Sequence, residues 1–213
     1  MLISAQREEN FSYPEVGSSR QQAPKGYTVD HNRIRLGQGA DTFERAKLAI
    51  SQWKMFEMPW VHLCWPDTPI EPSSTVAVLV SHFGSWHFGF WSMNACRIAY
   101  VIEEHASPER YGFAYGTLPE HGERGEERFT VEFNPENQTV WYDIYAFSRP
   151  NPLAAFGLSL HQNAAETLRQ GFINGHAESC AATVGSLPAS GPSQHQHLRF
   201  VCQPPARSPG LRP

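Results

Sequence analysis

The stretch GFAYGTLPEHGERGEERFTVEFNPENQTVWYDIYAFSRP, residues 112–150, decides the fold. In three runs, 113–118, 128–133 and 140–147, aromatic and β-branched residues alternate with other residues. A period of two is typical of strands that have two different faces. Residues 134–137 predict a hairpin turn between the last two strands. The polar, glycine-rich segment from Leu118 to Glu126 predicts a surface loop.

The run 140–147 carries large side chains on both of its faces. Tyr142 and Ile144 project to one side, whereas Trp141 and Phe147 project to the other, together with Asp143. A strand with aromatic residues on both faces is expected to be covered on both. We therefore expect a helix on one face and a neighbouring sheet or a cavity on the other.

The residues before this stretch predict one helix and several strands. Asp41 and Glu44 form a capping-box pattern, and the apolar residues that follow at helical spacing predict a helix over 41–53. Further strands are predicted at 27–36, broken by turn formers near Asp30 and Asn32, and at 55–65, 75–83 and 94–103.

A second helix is expected beyond Asn151, where Ser159 and Gln162 repeat the capping pattern. The order of these elements shows no alternation of strands and helices, so a parallel sheet is not predicted. The fold class indicated is α+β, with a curved antiparallel sheet and a C-terminal helix packed across it.

The chain of 213 residues is long enough for one well-packed core. We expect a frayed N-terminus over residues 1–10 and a single domain over 11–180. Residues 181–213 are rich in Pro, Ser, Gly and Gln and contain no acidic residue, which predicts a disordered tail.

Composition excludes some classes of function. The formal net charge of −4 and the lack of a clustered basic face give no support for nucleic-acid binding. The N-terminus lacks the apolar core of a signal peptide and no run is apolar enough to span a bilayer, which predicts a cytoplasmic protein. The four cysteines are Cys64, Cys96, Cys180 and Cys202. They form no C-x-x-C pair and are interpreted as reduced thiols, and the alternative is a disulfide between two of the first three.

Five segments resemble a known family in sequence and in order. They are FSYPEVGSSR from residue 11, LGQGADTFERAKLAISQW from 36, NACRIAYVI from 94, GFAYGTLPEHGERGEERFTVEF from 112 and VWYDIYAFSRP from 140. These motifs resemble uncharacterised protein family UPF0548, whose domain is the domain of unknown function DUF1990. The likeness covers about residues 11–180. It implies no particular activity.

The predicted order of elements is similar to the helix-grip fold of the START and Bet v 1 superfamily. Folds of that type usually enclose an apolar cavity between the sheet and the long C-terminal helix. Two parts of the chain depart from the family pattern: the aromatic segment SHFGSWHFGFWSM at 81–93, and the tail at 181–213.

The main functional hypothesis is a site for a small apolar or amphipathic molecule. Tyr115, Thr117, Trp141 and Asp143 combine aromatic walls with a few polar groups, as ligand pockets do, and Arg97 is the expected charge anchor. Ordinary sheet packing explains the same residues as well. Arg97 is expected to pair with Asp143 if their strands are neighbours, in a structural or a functional ion pair.

An enzyme is the first alternative, and whether the protein catalyses a reaction stays open at this point. His121, together with Glu126 or Glu127, offers acid–base chemistry in the same cavity. A solvated loop followed by an edge strand explains the same cluster without function.

The second alternative is a protein-interaction domain that uses an exposed aromatic segment at 86–91. The histidines His62, His82 and His87 lack the spacing of a zinc site, and the glycines form no nucleotide-binding loop. We therefore predict no metal site and no cofactor.

Overall fold

The computed structural model describes residues 8–58, 60–82 and 90–151. They form a seven-stranded antiparallel sheet that curves into a half-barrel, in the order β1-β7-β6-β5-β4-β3-β2. The strands are β1 (Thr28–Gln38), β2 (Val61–Leu63), β3 (Thr75–His82), β4 (Phe90–Glu104), β5 (Glu109–Thr117), β6 (Glu123–Asn134) and β7 (Thr139–Pro150). The helix α1 spans Ala40–Ser51, and short 3-10 helices span Ser18–Arg20 and Lys54–Phe56. The predicted α+β class with a curved antiparallel sheet is confirmed.

The hairpin between β6 and β7 forms where the sequence predicts it. The side-chain oxygen of Asn134 accepts the backbone N–H groups of Glu136 and Asn137, at 2.9 and 3.3 Å. An asparagine that holds its own backbone in this way is a common turn former. β6 therefore lies between β5 and β7 in the middle of the sheet, and the interpretation of this run as an edge strand was wrong.

Two strand predictions differ from the structure. β1 continues without a break through Asp30 and Asn32, because ten residue pairs with β7 support it from Thr28 to Gln38. The region 55–65 is not one bent strand. It forms the 3-10 helix Lys54–Phe56 and then the three-residue strand β2.

The capping box predicted for α1 does not form. Gly39 is the residue before the helix, has a φ of 86° and provides no side-chain cap. Glycine adopts this positive φ without steric strain, and the helix begins at the next residue, Ala40. Asp41 therefore lies inside the first turn and is not the capping residue. An acidic residue there still interacts favourably with the helix dipole.

One face of the sheet, called the core face below, is packed against α1 and the residues that follow it. The predicted apolar side of the helix is buried, with Phe43 stacked on Phe133 at 5.6 Å between ring centroids. Trp53 meets the edge of Phe113 at 5.0 Å, and Phe56 lies beside Phe129 at 5.9 Å. Aromatic contacts of this kind dominate the core.

The opposite face, called the outer face below, is covered by the N-terminal residues 11–27. Tyr13 and Tyr27 both contact Phe147 edge to face, at 5.9 and 5.1 Å. Gly116 leaves the space that the Tyr13 ring occupies, since a Cβ atom on Gly116 would lie 2.1 Å from the Tyr13 hydroxyl oxygen. The prediction that both faces of β7 are covered is confirmed, but the second cover is this N-terminal segment rather than a sheet or a cavity.

Several expectations lie outside the described residues. These are the C-terminal helix beyond Asn151, the tail at 181–213 and most of the aromatic segment at 86–91. Cys64 and Cys96 are buried, and neither forms a disulfide within the described residues, as predicted for these two. Among the residues that the structure describes, no helix is both long and apolar enough to cross a membrane.

Candidate functional site: a pocket on the core face of the sheet

A row of laterally paired residues across four strands builds a pocket on the core face. Tyr115 of β5 pairs with Glu127 of β6, Glu127 with Ala146 of β7, and Ala146 with Asp30 of β1. Residues that pair directly across antiparallel strands project from the same face of the sheet. The small side chain of Ala146 in the middle of this row leaves room between larger neighbours.

The resulting pocket is half-open and has a volume of about 120 Å³. Its wall combines apolar and polar groups, among them Ile144, Ala146, Tyr115, Glu127, Asp30 and His121. Such a lining, apolar with a few convergent polar groups, is what small-molecule sites use.

A phenol and a carboxylate face each other in the wall. The hydroxyl of Tyr115 donates a 2.7 Å hydrogen bond to Oε2 of Glu127. Burial, and then the charge of Glu127, raise the pKa of the Tyr115 phenol well above its usual value. The phenol therefore stays protonated and remains a donor to the carboxylate.

His121 reaches the pocket from the loop between β5 and β6. Its Nδ1 accepts the backbone N–H of Glu123 at 2.9 Å. Burial lowers the pKa of His121 to about 4, an effect larger than the opposing effect of the Glu123 carbonyl. The imidazole is therefore neutral at physiological pH.

Asn151, at the end of β7, holds this loop in place. Its side-chain N–H groups donate to the carbonyls of Pro119 and His121 at 2.9 and 2.8 Å, and its backbone N–H donates to the Gly122 carbonyl. Its Oδ1 accepts from Nε of Arg124 at 3.1 Å. The loop thus has a fixed position although its sequence is polar and glycine-rich.

Two of the five residues predicted to bind a ligand, Tyr115 and Thr117, line the pocket. The hydroxyl of Thr117 accepts the backbone N–H of Gly125 at 2.9 Å and lies 2.6 Å from the Ser12 hydroxyl. Thr117 therefore shapes the end of the pocket through bonds to its own protein.

Trp141, Asp143 and Arg97 lie on the outer face, away from the pocket. The oxygens of Asp143 contact Nη2 of Arg128 at 3.0 Å and Nε2 of His31 at 2.8 Å. Trp141 lies under the guanidinium of Arg33, which is 5.0 Å from the ring centroid.

Arg97 and Asp143 do not form the ion pair considered from the sequence. β4 and β7 are separated by β5 and β6, so the two residues cannot meet across neighbouring strands. Arg97 instead donates to the Glu9 carbonyl at 2.7 Å and lies over the ring of Phe11.

The two glutamates considered for acid–base chemistry have opposite orientations. Glu127 faces the pocket with Tyr115, whereas the carboxylate of Glu126 is turned to the outer face. There Glu126 accepts hydrogen bonds from the Tyr13 hydroxyl, the Gly17 N–H and both the N–H and hydroxyl of Ser19. Of the two, only Glu127 offers its carboxylate to the side where His121 lies.

The other candidate features are spread over the molecule. His62 is exposed on β2, and Trp91 is 42% exposed at the start of β4. Within 8–58, 60–82 and 90–151, no three His, Cys, Asp or Glu residues are grouped so that they could hold a metal ion.

Sequence reasoning missed four residues that shape the site: Asp30, Asn32, Ala146 and Asn151. The first two resemble turn formers in sequence, but their spacing of two already places them on the same face of a strand. Ala146 matters for its small size. Asn151 follows a strand directly, where a side-chain amide often satisfies the backbone of a neighbouring loop.

The model of the domain of unknown function DUF1990 matches residues 12–173. The chain belongs to this family. DUF1990 relatives include a UPF0548 protein of Deinococcus radiodurans, 39% identical over 155 residues, which cover 70% of this chain and 76% of the relative. A UPF0548 protein of Dictyostelium discoideum is 33% identical over 167 residues, which cover 70% of this chain and 75% of the relative.

Solved structures resemble the DUF1990 domain only in outline. Ara h 8.0201 has 11% identity and a TM-score of 0.44, with 74% of this chain and 99% of that chain covered. Human STARD10 has 9% identity and a TM-score of 0.37, with 81% of this chain and 83% of that chain covered. Likenesses this distant transfer no ligand and no reaction to the DUF1990 domain.

Proposed function

We propose that this DUF1990 domain binds a small amphipathic molecule in the pocket on the core face. The observation that supports it is the row Tyr115, Glu127, Ala146 and Asp30, which surrounds an opening instead of closing into the core. Ile144 adds an apolar wall beside these polar groups. A ligand with one apolar side and one polar side matches this lining.

The volume limits the size of what the pocket encloses. Cavities that hold a whole drug-sized ligand measure roughly 300–1,000 Å³, and a cavity of roughly 150 Å³ holds a benzene molecule. A pocket of about 120 Å³ fits a group of about one ring. Because the pocket is half-open, a longer molecule can place such a group inside and leave the remainder outside.

An acid–base enzyme that uses His121 and Glu127 is less well supported. A general base works best when its pKa is near the working pH. The pKa of His121, about 4, lies far below neutrality, so the imidazole is a poor proton carrier at pH 7. Hydrogen bonding by a neutral His121 suits a binding site better.

The test is to fill the pocket without disturbing the core. Ala146→Leu places a larger side chain between Glu127 and Asp30, whereas Ala40→Leu makes the same change at an exposed position at the start of α1. A panel of single-ring amphipathic compounds is screened against the full chain and both variants by ligand-observed NMR. Thermal unfolding of each protein reports whether it is folded.

We expect compounds that bind the wild type and Ala40→Leu to lose binding to a folded Ala146→Leu protein. The proposal fails if no compound of the panel binds the wild type at millimolar concentration. It also fails if folded Ala146→Leu binds the same compounds as the wild type.

A further inference from the structure

We infer that the ligand of this pocket presents a hydrogen-bond acceptor, such as a carbonyl or ether oxygen, to the Nε2–H group of His121. This inference rests on the proposed binding function and specifies the chemistry of the ligand. It assigns His121 the part of a fixed donor that determines specificity.

The tautomer of His121 follows from its contact with the loop backbone. The backbone N–H of Glu123 lies 2.9 Å from Nδ1 of His121, and the Glu123 carbonyl oxygen lies 3.1 Å from the same atom. We base the inference on the shorter contact, in which Nδ1 accepts the N–H and carries no proton itself. A neutral imidazole with a bare Nδ1 carries its proton on Nε2. His121 therefore has one N–H group, located on the ring edge away from the Glu123 backbone.

That N–H group is available for a ligand. Within the part of the chain that the structure describes, the hydrogen-bond contacts of the His121 ring are those of Nδ1 with the N–H and the carbonyl oxygen of Glu123, and none involves Nε2. The ring lines the pocket, so a bound molecule supplies the partner that Nε2–H lacks. Among the described residues, Nε2 of His121 is not one of the buried polar atoms that lack a partner, so a ligand oxygen at this position takes the place of solvent as its acceptor.

Other polar groups of the wall already have partners within the protein. The Tyr115 phenol donates to Glu127, and the Asn32 amide donates to Asp30 at 2.7 Å. These groups define the shape of the pocket, whereas His121 offers a directional contact at its edge.

Asn151 is the positioning residue for this donor. Its two bonds to the carbonyls of Pro119 and His121 fix the loop on which the ring is carried. The burial that keeps His121 neutral depends on the same loop position, because desolvation is the main cause of its lowered pKa.

The test compares two probes of nearly equal shape. Acetophenone has a carbonyl oxygen, and ethylbenzene lacks it. The affinities of both for the full chain are measured by NMR titration at pH 7, with the wild type, His121→Leu, His121→Gln and, as a control, the exposed His105→Gln. Glutamine at position 121 retains an N–H donor on a side chain of similar reach.

We expect the wild type and His105→Gln to bind acetophenone about fivefold or more tightly than ethylbenzene, the value of one hydrogen bond. His121→Leu should bind both probes equally, and His121→Gln should recover part of the preference. Long-range 1H–15N NMR spectra of the wild type should show the Nε2–H tautomer of His121.

Four outcomes separate the acceptor inference from the binding function. Equal binding of both probes by the wild type, or an Nδ1–H tautomer, overturns the acceptor inference and leaves the binding function standing. A preference that persists in His121→Leu also overturns it. Failure of both probes to bind the wild type at millimolar concentration counts against the binding function itself, and the inference falls with it.

Discussion

The hydroxyl of Tyr13 donates a 2.7 Å hydrogen bond to Oε2 of Glu126, 113 positions further along the chain. The same carboxylate accepts the Gly17 N–H, the Ser19 N–H and the Ser19 hydroxyl. Glu126 is only 2% exposed, and four donors compensate its buried charge. Two of the segments that carry the family resemblance thus meet on the outer face, where they attach the N-terminal segment to the sheet.

The variant Glu126→Gln should weaken this attachment. A carboxamide has one acceptor oxygen and an NH2 group that faces donors, so several of the four hydrogen bonds are lost. We expect a loss of about 2–3 kcal/mol in the free energy of unfolding, measured with urea. Trypsin should also cleave after Arg20 and Lys25 faster than in the wild type.

Glu136→Gln is the matched control, because Glu136 is exposed in the turn between β6 and β7. It should unfold like the wild type. Unchanged stability and unchanged cleavage in Glu126→Gln would show that Glu126 does not hold the N-terminal segment.

Asp143→Asn should destabilise the protein and leave ligand binding intact. Asp143 is buried between Arg128 and His31 on the outer face, so its removal leaves the Arg128 guanidinium without its carboxylate partner. The expected loss is about 1–3 kcal/mol in the free energy of unfolding. Urea unfolding and titration with acetophenone measure the two effects on the same protein.

The exposed Asp67→Asn variant serves as the control for a lost charge. If Asp143→Asn kept its stability but bound acetophenone more weakly, Asp143 would belong to the ligand site after all.

Acidification should destabilise the wild type through His121. The folded protein keeps the pKa of His121 at about 4, whereas the unfolded chain has the ordinary value of 6.5. Between these values the unfolded state binds more protons, so the contribution of His121 to stability is complete above pH 6.5 and is lost as the pH falls to 4. The size expected is about 3 kcal/mol, because each unit of pKa difference between the folded and unfolded states corresponds to about 1.4 kcal/mol.

Urea unfolding of the wild type and His121→Gln at several pH values isolates this effect. The other titratable groups of the pocket, such as Asp30, Glu123 and Glu127, are present in both proteins and cancel in the comparison. Parallel stability curves from pH 6.5 to 4 would contradict a lowered pKa for His121.

The parts of the fold that sequence could predict are those governed by neighbouring residues. Alternation predicts β5, β6 and β7, and helical spacing predicts the buried side of α1, because both patterns repeat within one element. The same locality explains two errors. Asp30 and Asn32 favour turns by themselves, but pairing with β7 keeps them in a strand. Asp41 has the residue type of a helix cap, but the helix starts one residue earlier, after Gly39.

The site was only partly predictable for a related reason. Alternation places Tyr115 and Thr117 on one face of β5. It does not say which residues of a neighbouring strand project from that same face of the sheet. Register decided that Glu127, and not the adjacent Glu126, faces Tyr115. It also placed Trp141 and Asp143 on the outer face.

The sequence by itself determined β5, β6 and β7, the buried side of α1, the hairpin and the family, because each is recorded in short runs of residues. The strand order was decided only by tertiary structure, which separates Arg97 from Asp143 by two strands and brings Asp30 into one row with Tyr115. The neutral state of His121 was also decided there, since burial and the loop bonds of Asn151 fix it. The physical reason is that hydrogen bonding between strands and desolvation join residues far apart in the chain, and no local pattern records such contacts.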